Sequence, residues 1–590
     1  MAAKTVRIGG ASGYWGESAM ATPQLLAAGG LDYIVFDYLA EITMSILARA
    51  KQKDPNAGYA KDFVTAILQP NLKEIARQGV KIIANAGGVN PQSCGAAVRA
   101  LVAGQGLDLK VAVITGDDLM ENKEEMVESG PREMFTNSDF PEPDSIASIN
   151  AYLGAFPVAK ALGLGADIVV TGRCVDSAVT LGACIHEFGW TSDEWDRLAS
   201  GSLAGHILEC GPQATGGNFT DWEDAGDIGN IGYPIAEISE DGSFTLTKPE
   251  GTGGVVNVGT VSEQLVYEIS DPQAYFLPDV VCDFSEVTIT QDGTDCVRVS
   301  PAKGRPAPDR YKTCLTFQDG FRAGLMLSFT GRDAGKKAQR FADAAFARSR
   351  KIFRQFNAGD FSETSVEILG DPDKEIALKL AVKHPDMMGA GIFLKEVSGL
   401  GLATPPGLAI FSGLRPKPSP IVRLFSYLTP KADIEITIDV DGATETMKDA
   451  PGEAFDTTSI ERPTEPEASS DGNVGVPLEK LAWGRSGDKG DKANIGIIAR
   501  KKEYVPYIWA ALTPEAVAKQ FDHFIDGGAN ANKVERFYLP GLNAMNFLID
   551  SVLGGGGVAS IRNDPQGKAY AQMLLDHPIP IPEDMARALT

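Results

Sequence analysis

Two acids and an arginine have the types and placement for proton transfer on an anionic substrate. Asp37 and Glu41 follow one short apolar run, and Arg173 follows another. A carboxyl in such a place can give or take a proton, and a guanidinium can hold an anionic oxygen as charge develops. Asn85 and Gly87, Asp117, and Asp176 follow or adjoin further apolar runs. Ahead of them lies Gly9-Gly10-Ala11-Ser12-Gly13-Tyr14-Trp15-Gly16, in which Gly10, Ser12 and Gly13 offer bare backbone N–H groups to an anion. Two later clusters, Gly216-Gly217-Asn218 and the expected loop Gly484–Asn494 with Arg485 and Lys489, complete the candidate substrate-binding set.

These residues need strands to carry them. Thr5–Ile8, Tyr33–Phe36, Val80–Ala84, Val111–Thr115 and Asp167–Thr171 are near-continuous apolar runs, as buried parallel strands are. Helical stretches separate them, one opened by Asn90-Pro91 and one expected from Asp176 to Gly189. The alternation predicts an α/β fold: a mostly parallel sheet flanked by helices, Rossmann-like in three layers. An open sheet is the first reading and barrel-like closure the alternative. Ligands of such sheets sit beyond the carboxyl ends of the strands, where the residues above fall.

Residues 1–200 form this α/β region. Residues 201–450 change to α+β texture, with a hairpin at Asp292-Gly293 and a basic amphipathic helix over 334–356. Residues 451–477 read as a linker, rich in Pro, Glu, Ser and Asp. Residues 478–590 read as a small α+β unit. Its strands are expected near 479–483, 494–499, 534–538 and 558–561, with helices after Thr513-Pro514, over 542–553 and from Pro565.

Bulk properties exclude several classes. The 590 residues carry a net charge of −24, which argues against nucleic acid or an anionic membrane surface as partner. No apolar run is long enough to span a membrane. Seven cysteines without C-x-x-C spacing fit reduced thiols in a cytoplasmic setting better than disulfides or zinc. The five histidines are scattered, and no metal is assigned; Asp117-Asp118 beside Asp37 or Glu41 is the one arrangement suited to Mg²⁺. Gly10-x-x-Gly13-x-x-Gly16 imitates a dinucleotide loop with Asp37 as the ribose acid. Pro23 interrupts the helix that should follow, and the one Tyr-x-x-x-Lys, Tyr427 to Lys431, contains Pro430. No cofactor is therefore assigned. Cys210, with His206 and Glu209, reads as an inert buried thiol.

Gly9–Glu17, Asp37-Tyr38-Leu39-Ala40-Glu41, Asn85–Pro91, Gly165–Arg173 and Gly216–Phe219 together resemble the acyclic terpene utilisation, AtuA-like, family over roughly residues 4–450. The 478–585 stretch, with Arg485-Ser486-Gly487-Asp488-Lys489-Gly490, resembles the ferredoxin-fold domain that often follows it. The resemblance implies catabolism of acyclic terpenes and branched acyl-CoA thioesters. The expected function is a lyase or hydratase on a carboxylated branched acyl-CoA, with Asp37 or Glu41 as acid/base and Arg173 on the carboxylate or thioester oxygen. The alternatives are a non-catalytic partner subunit and an NAD(P)-linked oxidoreductase. A homo-oligomer is expected on base rates.

Overall fold

The computed structural model describes residues 4–410 and 416–589. The five expected parallel strands form within two residues of their read boundaries. They are β1 (Thr5–Gly10), β2 (Tyr33–Phe36), β3 (Lys81–Ala84), β4 (Val111–Thr115) and, after an unread strand β5 (Ile146–Ala151), β6 (Ile168–Thr171). They lie side by side in the order β1-β2-β3-β6-β4, all parallel.

The sheet does not stop there. β7 (Ile235–Ser239) and β8 (Phe244–Thr247), with Ile289–Gln291 and Cys296–Val299, extend it antiparallel beyond β1. Ile436–Val440 and Ala443–Met447 extend it antiparallel beyond β4. The result is an open, mixed sheet of eleven strands rather than a mostly parallel one. Distant segments add the antiparallel edges, which is why local periodicity did not reveal them. Successive residues of each inner strand enter different cores. Ile34 and Phe36 pack with the helices Glu41–Lys53 and Pro91–Gly104; Tyr33 and Val35 pack with Ala178–Phe188 and Trp195–Glu209.

Local chemistry explains the helix starts. Asn90 caps Pro91–Gly104 by accepting from Ser93 N–H, with Pro91 in the first turn. The next expected helix differs: it runs Ala178–Phe188, with Gly189 left-handed at its end, and Asp176 stays outside because its carboxylate binds Arg173. Pro23 interrupts nothing either, since the first helix is Ala21–Ala28 and Pro23 sits in its opening turn.

A second sheet is built on the 21-residue strand Arg310–Thr330. That strand pairs antiparallel with β5, Ser419–Pro430 and Glu375–His384. The basic helix Ala334–Phe356 and the helix Met387–Gly399 cover it.

The C-terminal unit is a four-stranded antiparallel sheet in the order Ala482–Lys489, Lys492–Ala499, Ala544–Ile549, Val534–Leu539. Three expectations fail here. Residues 558–561, expected as a strand, form turn and unpaired backbone. Residues 544–549 form a buried strand and not a helix, and Gly484–Asn494 is mostly paired strand and not a loop. The glycines of that pair make room for the main body. A Cβ at Gly487 would meet Tyr267 and Glu268, and one at Gly496 would fall 2.1 Å from Val266. Trp483 Nε1 donates to Asp221 at 2.7 Å, Arg500 grips the same carboxylate through two bonds of 2.6 Å, and Asn494 Nδ2 donates to Val266 O at 2.9 Å.

Candidate functional site

The carboxyl ends of β2, β3, β4 and β6 converge on a buried polar chamber. Asp37 directly follows β2. Asn85 directly follows β3 and donates to Asp37 Oδ1 at 2.5 Å, while its own Oδ1 accepts from Tyr38 N–H at 2.7 Å. This asparagine locks the acid's rotamer. Burial pushes the Asp37 carboxyl well above the usual carboxylate range, Asp176 and Glu209 push it further, and Arg173 opposes them.

Arg173, two residues past β6, is buried. Its Nη1 donates to Asp176 Oδ1 and to Cys174 O, both at 2.8 Å, and its guanidinium lies 4.0 Å from the centre of the Tyr152 ring. Its Nε is buried without a hydrogen-bond partner among the described residues.

Glu41 is the acid at the hydroxyl of that ring. It accepts from Tyr152 Oη at 2.7 Å and pairs with Lys312 at 3.5 Å. Burial raises its pKa, but Lys312 and Arg173 outweigh burial and hold it at about 2. It is a fixed anion that orients Tyr152 beneath Arg173.

Asp117 sits apart. Its Oδ2 accepts from Arg173 N–H and from Asn150 Nδ2, both at 2.8 Å, so it braces the β6 end. Gly172 is required there, because a Cβ would lie 2.3 Å from Asp117 Oδ1. Asp118 turns outward to Lys51 at 3.6 Å. The two carboxylates therefore do not converge, and no three His, Cys, Asp or Glu side chains gather in metal-holding geometry among the described residues.

The glycine loop after β1 is committed to the protein itself. Gly10 N–H donates to Pro234 O at 3.0 Å, Ala11 N–H to Val35 O at 2.9 Å, and Gly13 N–H to the Glu17 carboxylate at 2.6 Å. Ser12 Oγ donates to Tyr14 O at 3.0 Å. Glu17 thus occupies the position an external anion would take. The glycines admit the end of the Trp195–Glu209 helix: a Cβ on Gly10 would lie 2.6 Å from Leu208 O, and one on Gly13 2.9 Å from Glu209 O. Gly87 likewise makes room for Thr171 O, which its own N–H binds at 3.0 Å.

That helix end brings in residues the sequence reading had set aside. His206 Nε2 faces Leu265 O at 3.2 Å, and its Nδ1 faces Glu209 Oε1 at 3.0 Å. A carbonyl only accepts, so Nε2 carries a hydrogen. A second proton must then lie between Nδ1 and Glu209. Burial opposes charge on His206, yet Glu209 outweighs it and raises the His206 pKa; burial also raises Glu209, against the pull of His206. Asp176 raises the Glu209 carboxyl further and Lys489 opposes it, while Glu209 in turn raises Asp37. Cys210 is the next residue, and burial beside Glu209 pushes its thiol up. His206 is bonded to Glu209 and not to Cys210, so the thiol stays unactivated.

The C-terminal unit closes the chamber. Arg485 is a clamp: it donates to Asn218 O at 3.1 Å and to Gln213 Oε1, and lies 4.8 Å from the Tyr267 ring centre. Asn218 is left-handed at φ 58°, after Gly216 at φ 108°, which presents its carbonyl to Arg485. Lys489 extends past this clamp to within 5.4 Å of the Tyr275 ring centre. Next to Arg173, Glu41 and Tyr152 the open space is about 10 Å³, room for about one water. A larger cleft of about 240 Å³ lies in the second sheet, where Lys383 and Arg423 are each paired with a carboxylate, Glu363 and Asp319.

No helix among the described residues is long and apolar enough to cross a membrane. A search of curated proteins finds no match. Residues 476–580 match the AtuA ferredoxin-like domain. Residues 6–440 match the family described as acyclic terpene utilisation family protein AtuA. That match covers most of the chain, including every site residue of the main body, and the chain belongs to the AtuA family, with the role in acyclic terpene utilisation that membership implies.

Proposed function

We propose that the chain is an enzyme of acyclic terpene or branched acyl-CoA catabolism, a lyase or hydratase acting on a carboxylated branched acyl-CoA thioester. The observations that carry this reading are a buried, unpartnered guanidinium nitrogen on Arg173 and a buried Asp37 carboxyl within its electrostatic reach. Burial pushes the Asp37 carboxyl well above the usual carboxylate range, and the Arg173 Nε has no partner among the described residues. Arg173 takes the substrate carboxylate or thioester oxygen as negative charge develops, and Asp37 moves the proton at the adjacent carbon. Glu41, held ionised, keeps Tyr152 and Arg173 in place. The narrow space beside Arg173 requires the chamber to widen when a substrate enters.

The test is turnover and thermal stabilisation by a panel of carboxylated and plain acyl-CoA thioesters, nicotinamide cofactors being run alongside. Asp37→Asn should abolish turnover and leave binding; Arg173→Lys should weaken binding at least tenfold, since a point charge replaces a planar fork. Wild-type turnover unaffected by Asp37→Asn sinks the assignment. Binding without any turnover by the isolated chain would favour a non-catalytic partner subunit.

A further inference from the structure

Two buried polar atoms at the chamber are complementary to each other. Arg173 Nε is an N–H donor and Asn150 Oδ1 a carbonyl acceptor, and neither has a hydrogen-bond partner among the described residues. The two residues are 3% and 2% exposed, and both line the space of about 10 Å³ next to Glu41 and Tyr152. One carboxylate holds them together. Asp117 Oδ2 accepts the Arg173 backbone N–H and Asn150 Nδ2, both at 2.8 Å. That bond fixes which end of the amide is nitrogen, so the end left over is the acceptor. Asn150 is further held by its strand, where it stands opposite Cys314.

The remaining walls restrict what the space takes. Tyr152 Oη is committed to Glu41 at 2.7 Å. Ser148 Oγ and Thr316 Oγ1 bond each other at 2.7 Å, which uses one of their two hydroxyl hydrogens. Met44 and Cys314 complete the lining. A carboxylate or carbonyl oxygen would satisfy Arg173 Nε and confront Asn150 Oδ1 with a second acceptor. An ammonium would satisfy Asn150 Oδ1 and meet a guanidinium. A methyl group would leave both atoms unpaired, a costly outcome for buried polar groups. A hydroxyl accepts from Nε and donates to Oδ1, and a space of this size holds about one such oxygen.

We infer that Arg173 Nε and Asn150 Oδ1 form a hydroxyl subsite, filled by a water in the free protein and by a hydroxyl of the substrate in the complex. Arg173 has five N–H groups and gives two, from Nη1, to Asp176 and Cys174. A hydroxyl at Nε therefore leaves the Nη2 pair for the carboxylate or thioester oxygen. The substrate class narrows to a hydroxylated, carboxylated acyl thioester. That identification of the occupant rests on the proposed function; the donor–acceptor pair does not.

Calorimetric titration of the full chain with 3-hydroxy-3-methylglutaryl-CoA and 3-methylglutaryl-CoA, which differ by one hydroxyl, reads the subsite. The hydroxylated thioester should bind at least about tenfold more tightly. Asn150→Leu, close in volume but without the acceptor, should bring the two to within about threefold. A purely structural loss would weaken both alike and keep their ratio. Asn150→Ala serves if Asn150→Leu does not fold. A crystal structure of the ligand-free full chain should show one ordered oxygen within hydrogen-bond distance of both Arg173 Nε and Asn150 Oδ1. Equal affinity of the wild type for the two thioesters overturns the inference. So does a preference that survives in the Asn150 variants, or the lack of an ordered oxygen between the two atoms. If neither thioester binds while that oxygen is in place, the proposed function fails and the donor–acceptor pair stands.

Discussion

Asp117→Asn tests the electrostatics of the strand ends without a substrate. The wild-type carboxyl is buried past β4, and its Oδ2 takes both the Arg173 N–H and the Asn150 side chain. Burial outweighs these bonds, Asp118 adds repulsion, and the pKa rises from 3.8 to about 7. The sign follows from proton counting. Between about pH 4 and pH 7 the folded chain holds a proton that the unfolded chain has released, so stability falls as pH rises through that window. Above pH 7 the full cost is present. Three units at 1.36 kcal/mol each set it at about 4 kcal/mol as an upper bound. Asparagine keeps one acceptor oxygen for both donors and cannot ionise. With an unfolding entropy of about 2.1 cal/mol/K per residue, a cooperative unit of roughly 440 residues has about 0.9 kcal/mol/K, so the gain reaches at most about 4 °C. Melting followed by intrinsic fluorescence at one scan rate, from pH 5 to pH 9, should show Asp117→Asn above the wild type at pH 8, the gap closing by pH 5. A variant that melts lower by the same amount at both ends would mean that the carboxylate is ionised throughout, and the reasoning would be wrong.

Three further outcomes follow from named contacts. Gly13→Ala drives a Cβ to 2.9 Å from backbone atoms of Glu209 and Cys210, neither of which can yield. It should cost about 1–3 kcal/mol, read as a lower melting temperature; wild-type melting would mean the loop does not pack on that helix end. Asp221→Ala leaves Trp483 Nε1 and the Arg500 guanidinium without their shared acceptor. After proteolytic cleavage within 451–477, the two fragments should co-elute in the wild type and separate more readily in the variant; identical elution counts against this contact as a domain tie. Glu41→Gln removes a carboxylate whose folded pKa is lowered, so its stabilisation is present above about pH 4.5 and fades as pH falls toward about 2. The variant should melt lower than wild type at pH 7, with the difference shrinking toward pH 3; a constant difference would assign the loss to packing.

The parallel strands were legible because each is buried on both faces and reads as an unbroken apolar run, Tyr33–Phe36 being the plainest case. The strand ends that hold Asp37, Asn85, Asp117 and Arg173 were legible with them. What required the fold was any pairing made from a distance. β5 joins a strand more than 150 residues later, and Ile436–Val440 returns to β4 from over 300 residues away. Ala544–Ile549 is rich in helix formers, yet strands on both sides claim its backbone, and tertiary pairing overrides propensity. The glycine clusters carried the most ambiguous signal. Glycine permits close approach by a ligand or by the protein's own backbone, and spacing alone does not say which. Around Gly10, Gly13, Gly87 and Gly487 the approaching atoms are the protein's own. His206 and Glu209 stand one helical turn apart and were legible as neighbours, but nothing local announces Lys489, some 280 residues later, whose charge reaches both.

The chamber's charge balance argues for where its chemistry lies. Asp176 and Glu209 raise the proton affinity of Asp37, Asp176 raises that of Glu209, and Arg173 and Lys489 act against them, with His206 sharing a proton with Glu209. Asp176 is already satisfied by Arg173 at 2.8 Å. Ionising Asp37 as well would place a third carboxylate in a buried space beside two cations, one of which is already engaged. In a low-dielectric site that repulsion is not screened by water, so the cheaper state keeps a proton on the cluster. Asp37 bonds to Asn85 through Oδ1 alone, which leaves Oδ2 to carry that proton or pass it on. In the proposed reaction, a substrate carboxylate arriving at Arg173 would add one more negative charge and tighten the cluster's hold on its proton. In that reaction, a proton kept beside a cation until a carbanion forms next to it serves an addition or elimination next to a thioester.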